Sequence, residues 1–472
     1  MHDFDILVIG NETEGCLAAV AAAQTGSRVG LLVSPNAMLG GLLTEDGLAF
    51  VDRDARHLKA PVQSPEDGIF SQFLTQAGVS LVALQAKRGA AELESMLRSA
   101  GVEILREHWK GVTLQDRRLR SVELERDSLI AKAFIDATPD ADLAEAAGMR
   151  FSDGFTDYGL NKRLGISPLP VVRGVTPATI MATCQALGQD PQLEALRQRM
   201  FGARAFLDLE QGEDYLLIGP PHLGLAFQRW RETQGLGNPA YQFEADGFNV
   251  AVIGPDITSW NGLIYFSEDA ATLLRLSREG ADDFFRSEAQ HFERFLREEL
   301  GWKNAFVELP SGIYVRQTRH ALDTRRRLTL RDLATEVPAR SVGTFCYYPD
   351  FRGFRAVAVP GPITAHVNID AGIARFISNL GIASRAAGYT PFAHSVCRLV
   401  QYNVTLGAAL GVAACLSPDD LAAADVETIK SLLAERGHLA NDPDGFDRNL
   451  LMMNALQADP VLCLEDAATS IS

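Results

Sequence analysis

Hydrophobic and polar positions at the start of the chain follow two patterns in quick succession. Asp5-Ile6-Leu7-Val8-Ile9 is a short apolar run closed by turn residues, which predicts a buried strand. Cys16 to Gln24 is alanine-rich and predicts a helix, and Val29 to Val33 predicts a second strand. The turn between strand and helix is Gly10-Asn11-Glu12-Thr13-Glu14-Gly15. A strand, tight turn and helix in this order gather free backbone N–H groups and the positive end of a helix dipole at one point, where a pyrophosphate can be held. Gly10 and Gly15 occupy the first and third glycine positions of a G-x-G-x-x-G fingerprint. Glu12 occupies the middle one. A carboxylate about 4 Å from a phosphate charge is repelled by roughly 4 kcal/mol at an effective dielectric near 20. Ser34 stands where an acid that holds a ribose hydroxyl is expected, and its single hydroxyl, donating or accepting, replaces the two oxygens of a carboxylate.

Further on, Leu93, Met96 and Leu97 mark an amphipathic helix over Arg88 to Ser99. Strand-like runs follow at Val102 to Trp109, Gly111 to Leu114, Leu119 to Glu125 and Leu129 to Asp136. The last ends in Ala137-Thr138-Pro139-Asp140-Ala141-Asp142, a strand-to-helix turn where α/β sheets commonly contact ligands. The region 151–354 changes texture. It mixes short strand candidates (Leu169 to Val172, Asn249 to Ile253, Gly262 to Phe266, Gly312 to Arg316) with one long helical pattern, Ala270 to Glu299. Gly381 to Arg385 predicts a final core strand and turn. A helix over Ser395 to Leu416 follows, with Gly407, Ala408, Ala409 and Gly411 small enough for close packing on a sheet or ligand. The expected architecture is α/β. A discontinuous Rossmann-like domain (1–150 and 355–416) carries an inserted mixed α/β domain (151–354) and a helical tail (417–472).

Composition narrows the partners. At 472 residues the chain can bury two or three cores. A net charge of −16 disfavours nucleic acid and anionic membrane. No apolar run reaches 18 residues and no basic leader precedes the first strand, so neither a membrane span nor a signal peptide is expected. The six cysteines form no C-x-x-C and the nine histidines show no ligand spacing, which suits a reducing cytoplasm and predicts no metal site.

Taken together, five segments resemble the FAD-dependent oxidoreductase family with a glutathione-reductase-type nucleotide-binding fold and an inserted substrate domain. Gly10 to Gly15 is similar to the family's G-G-T-x-x-G turn, and Leu39 to Gly47 to its L-G-G-x-x-T-x-G loop. Ile135 to Ala144 is similar to I-D-A-T-G-D-x-D-L-A. Val315-Arg316-Gln317-Thr318-Arg319 with Leu328-Thr329-Leu330 resembles V-R-x-T-R…L-T. Asn379 to Arg385, Arg398 and Gly407 to Ala414 resemble N-L-L-V-A-G-R…R…G-x-A-A-G-x-A-A. The resemblance implies FAD. It places the pyrophosphate over Gly10 and Gly15 beside Glu12, the adenosine ribose at Ser34 and the adenine near Val112. Gly40, Gly41 and Thr44 would approach the flavin. Ala137 and Asp140 would meet the sugar chain or phosphate, and Ser384-Arg385 would close over the ribityl chain. Glu12, Ser34, Pro139 and Ser384 depart from the family pattern.

The implied activity is oxidation of a small organic, anionic or oxygenated substrate by hydride transfer to flavin. Arg316 and Arg319 are the candidate anion clamp, because a guanidinium fork matches a carboxylate. They also begin a basic stretch ending at Arg325 to Arg327, which a solvated face would explain equally. Asp350 and Arg352 lie in a segment resembling Y-P-x-D-x-H, with arginine in place of the histidine; an arginine is no general base. His394 is the candidate for proton transfer, and Tyr389 a weaker one. Two alternatives stay open at this level: a degenerate flavoprotein fold acting as a binding or interaction protein, and a nicotinamide-dependent dehydrogenase. The second is disfavoured because the later segments belong to one continuous FAD site. The sequence sets no substrate, electron acceptor or oligomeric state.

Overall fold

The computed structural model describes residues 2–63, 67–201, 209–220, 222–335, 339–352 and 361–440. The expected acidic end of the tail, from 441 on, and the expected domain boundary near 355 lie outside them. Seven strands form the first sheet. They include β1 (His2–Ile9), β2 (Val29–Val33), β3 (Glu103–Arg106), β4 (Trp109–Gln115), β5 (Arg118–Leu124) and β6 (Ser128–Asp136), in the order β3-β2-β1-β6-β5-β4. β3, β2, β1 and β6 run parallel, and Leu380–Ile382 adds a parallel strand beside the end of β6. β4, β5 and β6 pair antiparallel. Asp116 and Arg117, with φ of 51° and 61°, turn β4 into β5 in the left-handed conformation that tight hairpins demand. β1 is flanked by strands on both edges, which is why its sequence reads as a continuous apolar run.

Helix α1 (Thr13–Gln24) leaves the turn after β1 and is almost wholly buried. Its cover is the C-terminal helix Val400–Leu416, also buried along its length. The small residues of that helix therefore meet another helix at close range. A Cβ on Gly411 would lie 2.5 Å from the Ala18 carbonyl oxygen, and one on Gly407 would lie 2.7 Å from that of Glu14. Backbone-to-backbone approach of this kind admits no side chain. Gly10 acts in the same way at the sheet, where a Cβ would overlap the backbone of Ala137 at the end of β6.

The second region builds its own core. One antiparallel sheet has six strands, with Phe248–Gly254 and Ile257–Asn261 at its centre. A four-stranded sheet includes Ile166–Ser167 and Tyr314–Val315. Trp260, Phe248, Phe292, Phe295, Phe227 and Trp230 pack edge-on and stacked within this core. The long helix expected over 270–299 is two helices, Ala270–Glu279 and Asp283–Arg294, with a π-helical turn after the second. Gly280 at φ 82° ends the first, and the Asp282 carboxylate caps the second by accepting from Phe285 N at 3.3 Å. The helix expected over 395–416 is also broken. His394–Cys397 and Val400–Leu416 meet at an extended Leu399, and Asn403 Nδ2 donates to the Cys397 and Leu399 carbonyls at 2.8 and 3.3 Å. No described helix is long and apolar enough to cross a membrane.

Gly411→Val is expected to destabilise the protein by about 1–3 kcal/mol, because α1 and the C-terminal helix must separate to admit the new atoms. Gly111→Ala, where a Cβ meets nothing within 4 Å, should stay within about 0.5 kcal/mol of the parent. Urea unfolding of the two variants checks the contrast.

Candidate functional site

Two cavities hold the chemistry. The first is a cleft of about 410 Å³ along the ends of β1, β2 and β6. Ser34, His108 and Trp109 line one end, Gly10, Asn11 and Glu12 its middle, and Gly41, Asp46, Ser311 and Gly312 another part of its wall. The start of α1 brings the positive end of its dipole here, with the Gly15 N–H already donated to Glu12 O at 3.1 Å. The expected neighbourhood of Val112 shifts within the strand that carries it. His108 and Trp109 reach the cleft, whereas Val112 packs against the core.

The Glu12 carboxylate is turned inward. It accepts from Leu42 N at 3.0 Å, and the backbones of Glu12 and Gly40 form a β-bridge. Asn11 O accepts from Gly40 N at 2.7 Å, Thr13 Oγ1 donates to Gly40 O at 3.1 Å, and Asn11 Nδ2 donates to Glu45 Oε2 at 2.9 Å. These bonds stitch the two glycine loops into one wall. Thr44 Oγ1 fastens the second loop internally, donating to Leu39 O at 2.8 Å. Burial is the main cause that raises Glu12, to about 7, with Glu45 and Asp140 adding to it and Leu42 N–H and Arg385 opposing it. Burial also pushes Glu14 and Asp46 well above the usual carboxylate range. This wall is therefore less anionic than its sequence.

Asp140 behaves differently. Burial alone would raise it, but the Arg385 guanidinium and hydroxyl donors outweigh that and hold it low. It accepts from Thr318 Oγ1 and Ser277 Oγ, each at 2.5 Å, and from Arg385 Nη2 at 3.2 Å. Ala141 follows in the left-handed region at φ 55°, a conformation that costs a non-glycine residue about 1–2 kcal/mol. That turn sets Asp142 N on Thr138 Oγ1 at 2.7 Å. Ser384 lies buried beneath, its hydroxyl accepting from Ala386 N at 3.3 Å. Gly15 and Ala137 meet behind the cleft as packing partners.

The second cavity, about 250 Å³, is lined by Asp52, Asn261, Tyr314, Tyr347, Asp350 and three arginines, Arg316, Arg352 and Arg398, among others. Arg316 is 1% exposed and makes no ion pair among the described residues. Its partners are neutral: Ser167 Oγ at 2.8 Å, Asn261 Oδ1 at 3.0 Å, Gly165 O at 3.2 Å and the face of Tyr314. Burial lowers it to about 10, so it remains cationic at neutral pH. Arg398 donates to Tyr314 Oη and to Asp350. Burial would raise Asp350, but Arg398 and Arg352 prevail and keep it ionised. Arg352 lies 3.6 Å from Asp246 and 3.9 Å from Asp350, and its Nη1 is buried without a partner. A small void of about 10 Å³, lined by Leu42, Leu43, Asp52, Tyr314 and Arg398 among others, shares Asp52, Tyr314 and Arg398 with this cavity and borders the second glycine loop.

The expected clamp is divided. Arg319 lies on the first cavity's side, donating to Asp140 O at 2.6 Å and pairing with Asp142 and Glu145. His394 lines neither cavity. Its Nε2 bonds Arg316 O at 2.8 Å, its ring packs against His320, and burial lowers it to about 3. It is neutral at physiological pH and holds the backbone of Arg316, just after the strand Tyr314–Val315. Tyr389 is wholly buried and donates to Asn403 Oδ1 at 3.0 Å. Asp52, Tyr314, Tyr347 and Arg398 are brought to the second cavity without being singled out for it in sequence. Arg398 alone had a signal, its place in the resemblance. No described cluster of His, Cys, Asp and Glu could hold a metal ion.

Solved structures similar to this chain share little of its sequence. Flavin-dependent brominase Bmp2 is 10% identical with a TM-score of 0.44, over 96% of this chain and 98% of that one. OxyS anhydrotetracycline hydroxylase from Streptomyces rimosus is 11% identical with a TM-score of 0.40, over 99% and 75%. A geranylgeranyl bacteriochlorophyll reductase-like protein from Thermoplasma acidophilum is 11% identical with a TM-score of 0.37, over 98% and 97%. The family model for FAD dependent oxidoreductase matches residues 5–434, nearly the whole length. This chain belongs to the FAD-dependent oxidoreductase family, and FAD is its cofactor.

Proposed function

We propose that the protein oxidises a small organic anion held in the arginine-lined cavity, with FAD in the cleft along the first sheet. The observation that carries this reading is Arg316, a buried guanidinium with neutral partners only. An uncompensated buried charge is costly unless something binds to it. Two further arginines crowd the same cavity, and Asp350 is the carboxylate that acts on all three. Arg352 and Arg398 share Asp350, and Arg352 keeps a buried N–H with no partner. A carboxylate on the substrate would supply the missing negative charge.

The cleft suits the cofactor. Backbone N–H groups of the α1 first turn would take the pyrophosphate and Ser34 a ribose hydroxyl, while Gly41 and the Ser384-Arg385 turn would border the remainder. Burial favours protonated Glu12 and Asp46, which eases the approach of a dianion. When bound, FAD supplies two-electron redox chemistry. The protein holds the substrate, excludes water and manages protons. Substrate and flavin would meet at the void between Leu42, Leu43, Tyr314 and Arg398.

Two outcomes test this reading. Glu12 has a raised value near 7 in the folded protein, and a phosphate nearby would raise it further. FAD affinity should therefore fall as pH rises through about 7. Glu12→Gln should bind at least as tightly and lose that dependence, as read by FAD titration of the apoprotein between pH 6 and 8.5. Arg316→Gln in the FAD-loaded protein should weaken binding of a carboxylate probe, oxalate, by about 1.5–3 kcal/mol, roughly 10–100-fold. Perturbation of the visible flavin spectrum reports this. Unchanged oxalate affinity would remove the anion site.

A further inference from the structure

Five side chains in the arginine-lined cavity could exchange a proton: Asp52, Tyr314, Tyr347, Tyr348 and Asp350. Three are committed or badly placed. Asp350 is held as an anion by Arg398 and Arg352 and also accepts Arg352 N at 3.1 Å. Tyr314 Oη receives the Arg398 guanidinium. Tyr348 is 51% exposed.

Asp52 and Tyr347 remain, and they form a pair. Tyr347 Oη donates to Asp52 Oδ1 at 2.6 Å. The pairing is built by the backbone. Ser341–Tyr347 is a strand, and its Cys346 N donates to Asp54 Oδ2 at 2.9 Å while Cys346 O accepts from Ala55 N at 2.7 Å. Asp54 N in turn donates to Gln401 Oε1 at 2.8 Å, on the C-terminal helix. The segment carrying Asp52 is thus fixed to the segment carrying Tyr347. Asp52 lines both the arginine cavity and the small void beside it that borders the second glycine loop. It stands where substrate and flavin would meet.

We infer that Tyr347 and Asp52 together accept the hydroxyl proton of an anionic alcohol, a hydroxy acid, anchored by Arg316; this rests on the anion-site reading above. The hydroxyl O–H breaks toward Tyr347 Oη as the phenolic proton passes to Asp52 Oδ1. The carbinol C–H breaks at the same carbon, the carbonyl forms, and the hydrogen with its electron pair is taken up by the oxidised cofactor. Charge selects the hydroxy acid over an amine, since an ammonium would enter a cavity ringed by three guanidiniums, with Asp350 already engaged by Arg398 and Arg352 and Asp52 by the Tyr347 hydroxyl. Burial raises Asp52 above an ordinary aspartate, with Tyr347 and Arg398 opposing, Asp350 adding and Arg352 opposing. That makes it a stronger proton acceptor than Asp350.

The test uses FAD-loaded protein, reduced anaerobically by glycolate, lactate, malate and gluconate and followed at the flavin absorbance across pH. At least one acid should reduce the wild type, faster as pH rises through the Asp52 ionisation. Asp52→Asn should slow reduction by about 100-fold or more and flatten that rise, and Tyr347→Phe by about 10–100-fold. Both variants should keep FAD and bind oxalate within a few-fold of wild type. That separates loss of a proton acceptor from loss of structure. An Asp52→Asn protein reduced at the parent rate with the parent pH profile overturns the assignment. Oxalate binding without reduction by any of the four acids overturns the hydroxy-acid class while sparing the anion site. Failure of oxalate to bind removes the anion site itself.

Discussion

Asp140 is the point at which the distant parts of this chain are tied together. Its carboxylate leaves the end of β6 and takes donors from Ser277, Thr318 and Arg385. Its own carbonyl takes Arg319. Those partners come from the helix Ala270–Glu279, the stretch after Tyr314–Val315 and the turn after the last parallel strand. The buried carboxylate has three donors, and losing Arg385 among them would leave its charge uncompensated. Asp140 lines the first cavity and joins residues from the first sheet's end to ones near the second core. Ala141, forced into the left-handed region one residue later, fits a turn shaped by this site more than by its own preference.

Around that knot the buried charges are sorted. Glu12 and Asp46 line the first cavity, and Arg316, Arg352 and Arg398 line the second. Burial moves each set in the same way, toward the neutral form, but with unequal effect. A carboxyl raised to near 7 or above can take up a proton at neutral pH, while an arginine lowered to about 10 cannot lose one. The cofactor cleft can therefore relax its charge by protonation. The arginine-lined cavity cannot. Arg316 and Arg319 show how local the sorting is. Three residues apart, one faces neutral acceptors in the second region and the other the acids after β6.

What the sequence made legible follows from how far apart the interacting groups lie. The β1-turn-α1-β2 unit, the strands through β6 and the strand at 380–382 are local patterns, and they could be read directly. The break at Gly280 was visible as a residue but not as an outcome, because the apolar spacing continues across it. Glu12 was legible as a departure from the glycine pattern, and the direction of its side chain was not. That direction is set by Leu42 N, thirty positions later, on a loop whose docking depends on Asn11 and Thr13. Asp52 and Tyr347 are separated by 295 positions and carried no common signal. Chemistry assembled by tertiary contact leaves no spacing to read.

The break between the two C-terminal helices shows how such a contact is made. A continuous helix through Leu399 would need that residue in the α region, but it is extended at φ −72° and ψ 141°. The carbonyls freed by the break are met by the Asn403 side chain, so the interruption leaves them satisfied. Arg398, the last residue before it, is buried in the second cavity between Asp350 and Tyr314. One turn later, Gln401 reaches Asp54 N and Asp67 Oδ1. Gly407 and Gly411 then bring the same helix against α1. A single element thus spans the charge of the arginine-lined cavity, the loop that carries Asp52 and the helix whose N-terminus opens on the cofactor cleft. Its stiffness gives the two cavities one shared frame.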